Sequence, residues 1–356
     1  MDCSHARLAL ASLTACSDDG GTSIYTMTDP TDPGTATLPS TTNPETEDST
    51  DNGDGDPTSG DGDPTGEPKL DIGATTATAE GGDGDGCQKV DFLFVIDNSG
   101  SMLEEQTSLS NSFPAFINSI QSTLDQAQDY HIMVIDTDHW VHAGCPLLCG
   151  FPPLPGLCVG YQCGVTQPEQ CEDILGAGVT HPKGADASNM DCNFQNGLRF
   201  MTDAEPNLVG AFQCAARVGT GSTDDPERPM EAMAQAVGNS AAIQTCNFGF
   251  LRDDAILVVT FITDEDDNAG DGSNGDVNTW RQALIDAKNG DDQSIVVLGL
   301  FGGGGCAEDS PRLTSFLDSW GDKGFYGSIC SNDYDAFFQQ AVDIIDTTCD
   351  EFTPPE

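Results

Sequence analysis

Three oxygen-bearing side chains at alternate positions, Asp97, Ser99 and Ser101, are the residues of this sequence whose types and spacing best suit chemistry. They directly follow the largely apolar run 90–96, which predicts a strand buried on both faces. A turn after such a strand can bring the three side chains together, and Gly100 allows a tight bend. One carboxylate and two hydroxyls are hard ligands, the kind that magnesium, calcium and manganese prefer. The sequence therefore predicts a divalent-cation site at this turn.

A second apolar run, 255–263, ends in Asp264, and the segment 217–221 reads Arg-Val-Gly-Thr-Gly. From residue 87 onwards, apolar strands alternate with helical patterns, among them a predicted helix from Pro229 to about Ile243. This alternation predicts an α/β fold, a doubly wound, mainly parallel sheet flanked by helices. Ligands of such sheets bind outside the carboxyl ends of the strands, at the topological switch point. We therefore expect Asp97 and Asp264, both at strand ends, to share one site.

These three segments resemble the metal-ion-dependent adhesion site of von Willebrand factor A domains. The Asp-x-Ser-x-Ser pattern at 97–101 is similar to the family's first motif, 217–221 to its Gly-Thr loop, and 255–264 to the later strand that delivers the last carboxylate. The resemblance covers roughly residues 88–349. The runs 97–106 and 113–117 look like those of bacterial secreted and lipoprotein members.

The resemblance implies a set of metal ligands: Asp97, Ser99, Ser101, Thr220 and Asp264. The two serines would bind the ion through their hydroxyls, Thr220 would do so in the ligand-bound state, and the two aspartates would act directly or through water. The family leaves one coordination position open for an acidic side chain of a protein partner. The expected ion is Mg²⁺, with Ca²⁺ or Mn²⁺ as alternatives.

Two departures from the family pattern leave alternatives open. The loop after Gly219 is longer than usual, so Ser222 and Thr223 stay alternatives to Thr220. Residues 265–268, Glu-Asp-Asp-Asn, follow Asp264 where the family usually has glycine. For this segment we expect a solvated acidic loop, with a second calcium site as the alternative.

Overall charge limits the classes of partner. The 356 residues contain 12 Lys and Arg against 59 Asp and Glu, a formal net charge of −47. Such a chain repels nucleic-acid phosphates and anionic membrane surfaces and attracts divalent cations. We therefore expect no nucleic-acid partner.

The amino-terminal segments predict export and a lipid anchor. Residues 1–16 end in Leu-Thr-Ala-Cys, which resembles the lipobox of bacterial lipoproteins, so Cys16 is the expected lipidation site. Residues 17–86, rich in Asp, Gly, Thr and Pro, predict a disordered acidic linker. The folded domain is expected at 87–350, attached to the membrane by lipid alone, in the cell envelope as an outer-membrane or cell-surface lipoprotein.

Cysteine usage supports an oxidising compartment. Beyond Cys3 and Cys16, twelve cysteines remain, an even number that suits six disulfides whose pairing the sequence does not define. Several lie in 139–213, a stretch rich in Pro, Gly and Cys with little periodicity. We interpret this stretch as a disulfide-rich insertion, because so long a loop is otherwise hard to accommodate in a compact domain.

Two further function classes compete with adhesion. A haloacid-dehalogenase-like phosphatase requires a second Asp where Ser99 stands, and a subtilisin-like protease requires histidine and serine segments that the sequence lacks. We therefore expect that the protein is not an enzyme. The alternative to adhesion is a disulfide-braced structural surface domain whose ion is purely structural.

Overall fold

The structure is a computed structural model that describes residues 87–123, 129–137, 170–172, 174–221, 227–268, 272–303 and 305–355. The predicted leader with Cys16, the linker 17–86, and residues 138–169 and 173 of the region around the expected insertion lie outside the described residues. So do Ser222 and Thr223. Within the part of the chain that the structure describes, no helix has the length and apolar character needed to cross a membrane.

A six-stranded sheet forms the centre of the domain. The strands are β1 (Lys89–Ile96), β2 (Asp129–Asp136), β3 (Met201–Thr202), β4 (Ile256–Ile262), β5 (Ile295–Leu300) and β6 (Gly324–Gly327). Their order is β3-β2-β1-β4-β5-β6, and every pair is parallel except β2 with β3. The predicted doubly wound, mainly parallel sheet is confirmed. The order reverses between β1 and β4, which is the switch point of the fold.

Helices cover both faces of this sheet. They are α1 (Leu103–Thr123), α2 (Leu208–Ala215), α3 (Pro229–Ala236), α4 (Ala241–Cys246), α5 (Val277–Ala287), α6 (Pro311–Asp318) and α7 (Asp335–Glu351). Phe92 and Phe94 of β1 belong to a core with α1, α2 and α7, whereas Leu93 and Val95 belong to a second core with α3, α5 and α6. Because β1 is buried on both faces, it reads as a continuous apolar run.

One prediction about local structure is wrong in detail. The predicted helix over 229–243 is divided into α3 and α4, because the chain leaves the helix at Val237 and Ser240 caps a new one by accepting the Ile243 N–H. The described residues of the expected insertion 139–213 include the edge strand β3 and most of α2. A two-residue strand and an eight-residue helix are too short for periodicity to reveal.

Four disulfides join described cysteines: Cys87–Cys349, Cys171–Cys246, Cys192–Cys214 and Cys306–Cys330. The first joins the residues before β1 to the end of α7. The second and third attach the described part of 139–213 to α4 and α2. The other four cysteines of the expected domain, at 145, 149, 158 and 163, lie outside the described residues.

A buried ion pair lies near the amino-terminal ends of β1 and β2. Asp91 of β1 is fully buried, and Arg252 donates to its carboxylate from the backbone N–H at 2.7 Å and from Nε at 2.8 Å. Arg252 also bonds Asp129 at the start of β2. Burial raises the pKa of Asp91 to about 6, against the opposing effect of the Arg252 charge. Arg252 therefore makes it possible for Asp91 to be ionised inside the sheet at neutral pH.

We predict that Arg252→Met lowers the free energy of unfolding by about 3 kcal/mol at pH 7.5, because the buried Asp91 carboxylate loses its charged partner and keeps only the backbone N–H of residue 252. With Arg252 present, the pKa of Asp91 in the folded state is about 6, above the unfolded value. Because the Arg252 charge lowers this pKa, its removal raises the pKa of Asp91 further, and protonation relieves the loss as pH falls through that higher value towards 5. Urea unfolding at pH 7.5 and pH 5 measures both effects. The control is Lys89→Met, which removes a more exposed pair with Asp254 at the same edge. An equal loss at both pH values for Arg252→Met would contradict the account.

Candidate metal site

The sheet brings Asp97 and Asp264 to one edge. β1 and β4 are neighbouring parallel strands in which Ile96 pairs with Ile262, and the Asp97 N–H donates to the Ile262 carbonyl at 2.9 Å. Asp97 therefore follows β1 directly, and Asp264 follows β4 after one residue. Both lie at the carboxyl ends of the strands, at the switch point.

Ser99 stands between the two carboxylates. Its backbone N–H donates to Asp97 Oδ1 at 2.6 Å, and its hydroxyl donates to Asp264 Oδ1 at 3.4 Å. The same hydroxyl oxygen lies 3.4 Å from the Ser101 hydroxyl oxygen. Four of the five predicted ligands, Asp97, Ser99, Ser101 and Asp264, thus form one connected array.

The array is deeply buried on one side and reaches the surface on the other. Asp97 has no exposed surface, and Ser99 and Asp264 are 5% and 4% exposed, whereas Ser101 is exposed. An ion held here would contact the buried carboxylates of Asp97 and Asp264 on one side and would be accessible to solvent on the side of Ser101.

Among the described residues, the hydrogen bonds given to the Asp97 carboxylate come from two neutral donors. Thr263 Oγ1 donates to its Oδ2 at 2.6 Å, and Ser99 donates to its other oxygen. Burial raises the pKa of Asp97 to about 7; the two hydrogen bonds lower it, and the charges of Glu265 and Asp264 raise it further. A bound cation would stabilise the ionised form of Asp97, which burial and the neighbouring carboxylates destabilise.

The donor set fits a hard divalent ion, because two carboxylates and two hydroxyls are oxygen ligands. Within the described residues, no group of three or more His, Cys, Asp or Glu side chains is arranged to hold a metal ion. A site at this edge would therefore depend on the serine hydroxyls as well as on the carboxylates.

Thr220 lies outside the array. Its hydroxyl donates to Asp186 Oδ2 at 2.7 Å, and its backbone N–H donates to the Ala185 carbonyl at 2.8 Å. The structure therefore connects the fifth predicted ligand to the 184–189 loop. No sequence signal identified Asp186 as its partner.

Gln106, in the first turns of α1, links the array to the Thr220 loop. Its Nε2 donates to the Asp97 carbonyl at 3.0 Å and to the Gly219 carbonyl at 2.7 Å, and its Oε1 accepts the Gly219 N–H at 3.1 Å. Gln106 is 1% exposed. It therefore holds residue 219, next to Thr220, against the turn that carries Asp97.

The acidic segment after Asp264 is not simply solvated. Asp267 is fully buried, accepts the Ser273 N–H at 2.6 Å and the Met230 N–H at 3.2 Å, and pairs with Arg312. The expected solvated loop is thus wrong at Asp267, which fastens the segment to the first turn of α3. Its partners are distant in sequence, so the sequence offered no sign of them.

The comparisons with known proteins give little beyond this geometry. No family model matches the sequence, and no curated protein matches it. One solved structure to which the chain is similar is described as "von Willebrand factor type A from Catenulispora acidiphila". The aligned residues are 13% identical, the match covers 73% of this chain and 42% of the other, and the TM-score is 0.36. A similarity this low carries no argument about function, and the fold is defined by the strand order and pairing above.

We predict that Gln106→Met lowers the free energy of unfolding by about 3 kcal/mol, because it leaves two buried carbonyls and one N–H without a partner at nearly unchanged side-chain volume. Urea unfolding measures the loss. The control is Gln213→Met, which removes a single bond to the Ser110 carbonyl and is expected to lose less than about 1 kcal/mol. Equal losses in the two variants would show that Gln106 does not hold the two segments together.

Proposed function

We propose that this chain is an exported lipoprotein, anchored through Cys16, whose von Willebrand factor A-type domain binds a protein partner through a divalent cation. The single observation that carries the proposal is the position of Ser99 between the carboxylates of Asp97 and Asp264, with Ser101 beside it. This array lies at the switch point of a doubly wound sheet, where such folds bind their ligands.

Each residue of the array has a distinct part in this proposal. Asp97 and Asp264 supply the negative charge, and the hydroxyls of Ser99 and Ser101 supply neutral oxygen ligands. The bound ion, expected to be Mg²⁺, would supply a positive centre that attracts a partner's carboxylate. Because two of these ligands are neutral, the ion keeps much of its charge for that carboxylate.

The charge of the whole chain supports a requirement for the ion. With 59 acidic against 12 basic residues, the protein repels an acidic partner at long range. A carboxylate can bind at an edge that carries Asp97, Asp264 and Glu265 only if a cation reverses the local potential. Chelation is therefore expected to abolish adhesion.

A structural role is the second candidate, and the four disulfides among the described cysteines favour it. In that case the disulfides stabilise a structural domain at the cell surface, and the ion stabilises the loops without contacting a partner. The two candidates differ in what chelation does to binding.

The test is a pull-down from envelope and culture-medium proteins with purified protein in Mg²⁺ or Mn²⁺ and in chelator, followed by identification of the retained protein. Adhesion predicts a partner that is retained only with the cation and is lost with Asp97→Ala. The matched control is Asp318→Ala, which removes an acidic residue at the end of α6. Equal retention in chelator would favour the structural role.

We also predict opposite effects of Asp97→Asn on the metal-free and metal-loaded protein. Because the pKa of Asp97 is raised to about 7, its ionisation destabilises the folded state progressively as pH rises from about 4 to 7, and the full penalty remains above 7. At pH 8 in chelator, Asp97→Asn should increase the free energy of unfolding by about 1 to 3 kcal/mol. In Mn²⁺, wild type should gain stability and the variant should not.

The measurement is thermal and urea unfolding of both proteins at pH 8, with and without metal. Metal that stabilises Asp97→Asn as much as wild type would place the ion elsewhere. A variant that is less stable than wild type in chelator would show that the Asp97 carboxylate is compensated without an ion.

A further inference from the structure

We propose that the protein partner carries two carboxylates, one bound to the cation and the other bound by Arg217 in a cleft beside α1 and α2; this inference rests on the proposed function. The cleft, which we call the α1–α2 cleft, has a volume of about 250 Å³. Its described lining residues are all polar: Gln106, Thr107, Ser110, Asn111, Gln213 and Arg217.

Arg217 is the residue of the cleft that indicates an anion as its ligand. It is exposed, and among the described residues its guanidinium forms no ion pair and donates no hydrogen bond. Other arginines of the described residues are paired with carboxylates: Arg199, Arg252, Arg281 and Arg312. In a chain with 59 acidic and 12 basic residues, this guanidinium is available to a carboxylate of another protein. Its planar fork of donors matches that group.

A second group in the cleft lacks a partner. Ser110 Oγ is buried and makes no hydrogen bond within the described part of the chain. A buried hydroxyl without a partner costs about 1 to 3 kcal/mol. A carboxylate bound by Arg217 in the cleft would accept a hydrogen bond from Ser110 Oγ and remove this cost.

The walls of the cleft are fixed by contacts between the two helices. Phe113 of α1 and Phe212 of α2 are fully buried and stack with their ring centroids 3.5 Å apart. Gln213 Nε2 donates to the Ser110 carbonyl at 3.0 Å, which joins the two helices at the cleft itself. Because the cleft is already formed, a ligand binds there with little loss of conformational entropy.

The cleft adjoins the metal array through Gln106. Gln106 lines the cleft, and its Nε2 donates to the Asp97 carbonyl at 3.0 Å. Ser101 of the array lies just before α1, and Leu103 and Ser110 are about two helical turns apart, roughly 10 Å along the axis. An extended peptide spans that length in about three residues. A partner bound to the ion through one acidic side chain therefore brings a second acid, about three residues away, to the cleft at high effective concentration.

The overall charge of the chain makes this proposal specific. A formal net charge of −47 repels each acidic group that is added to a ligand. A peptide with two carboxylates should therefore bind more weakly than a peptide with one, unless a local cation receives the second group. Nucleic acids and anionic membranes present many phosphates at once and are repelled by the same charge. The ligand that fits the cleft is thus a carboxylate of the bound protein partner.

We expect a second acid, three residues from the metal-bound Asp of a peptide, to tighten binding about tenfold, the effect of one hydrogen-bonded charged pair. Arg217→Met should remove this gain and leave the affinity for a peptide with a single Asp unchanged. Ser110→Ala should reduce the gain about threefold without lowering the melting temperature, because the hydroxyl that it removes has no partner in the described residues.

The experiment adds the full chain loaded with Mn²⁺ to neutral Gly/Ser peptides with blocked ends. The peptides carry one Asp, or one Asp and one Glu placed two, three, four or six residues away. Bound Mn²⁺ broadens the NMR lines of nearby protons, so titration of the broadening gives the affinity, and the Asp protons should broaden most. The proteins are wild type, Arg217→Met, Ser110→Ala, and Asp97→Ala as the reference without a metal site. The matched control is Lys323→Met, which removes an equal charge just before β6, at the opposite edge of the sheet.

Each outcome has a definite reading. A gain from the second acid that is lost in Arg217→Met and kept in Lys323→Met supports the proposal. No gain at any spacing, a gain that persists in Arg217→Met, or an equal loss in Lys323→Met overturns the role of the cleft. If the peptide with one Asp is still broadened only by protein with Asp97, the proposed metal function remains in place. Broadening that is the same with wild type and Asp97→Ala overturns both the proposed function and the role of the cleft.

Discussion

The carboxyl edge of this domain depends on one unfavourable interaction, the burial of the Asp97 carboxylate at the end of β1. The same strand contains a comparison, because Asp91 is equally buried at its other end. Asp91 is compensated by Arg252, which donates to both of its oxygens. Asp97 accepts from the Thr263 hydroxyl and the Ser99 N–H, and its pKa is raised further by acidic neighbours. The buried carboxylate at the start of β1, Asp91, is thus paired with a positive charge within the chain. The buried carboxylate after the end of β1, Asp97, would be stabilised by a bound cation.

The sheet and the strand ends could be predicted because they follow from patterns within short segments. The runs 90–96 and 255–263 are apolar because both faces of β1 and β4 are covered, and parallel strands place their carboxyl ends at one edge. The array of Asp97, Ser99, Ser101 and Asp264 follows from that topology together with the alternate spacing after β1. These parts of the site needed no information about side chains from distant segments.

The remaining features depend on contacts between residues far apart in sequence. Gln106 bonds Gly219 across 113 positions, and Asp267 bonds the N–H of Met230 at the start of α3. Thr220 bonds Asp186, which lies in the irregular segment 139–213. An isolated glutamine or aspartate has no periodicity that would identify its partner. Likewise, β3 is defined by its pairing with β2 and has only two residues.

The division of the site between rigid and movable parts follows from the same topology. The turn after β1 and the residue after β4 are fixed by strand pairing, so Asp97 and Asp264 cannot move apart without breaking the centre of the sheet. Thr220 is held by a side-chain hydroxyl, one backbone N–H and the neighbouring Gly219, all in a loop. The position of Thr220 therefore depends on loop contacts, whereas those of Asp97 and Asp264 depend on the sheet. The sheet thus positions four of the five predicted ligands, and a segment outside the repeating strand–helix pattern holds the fifth.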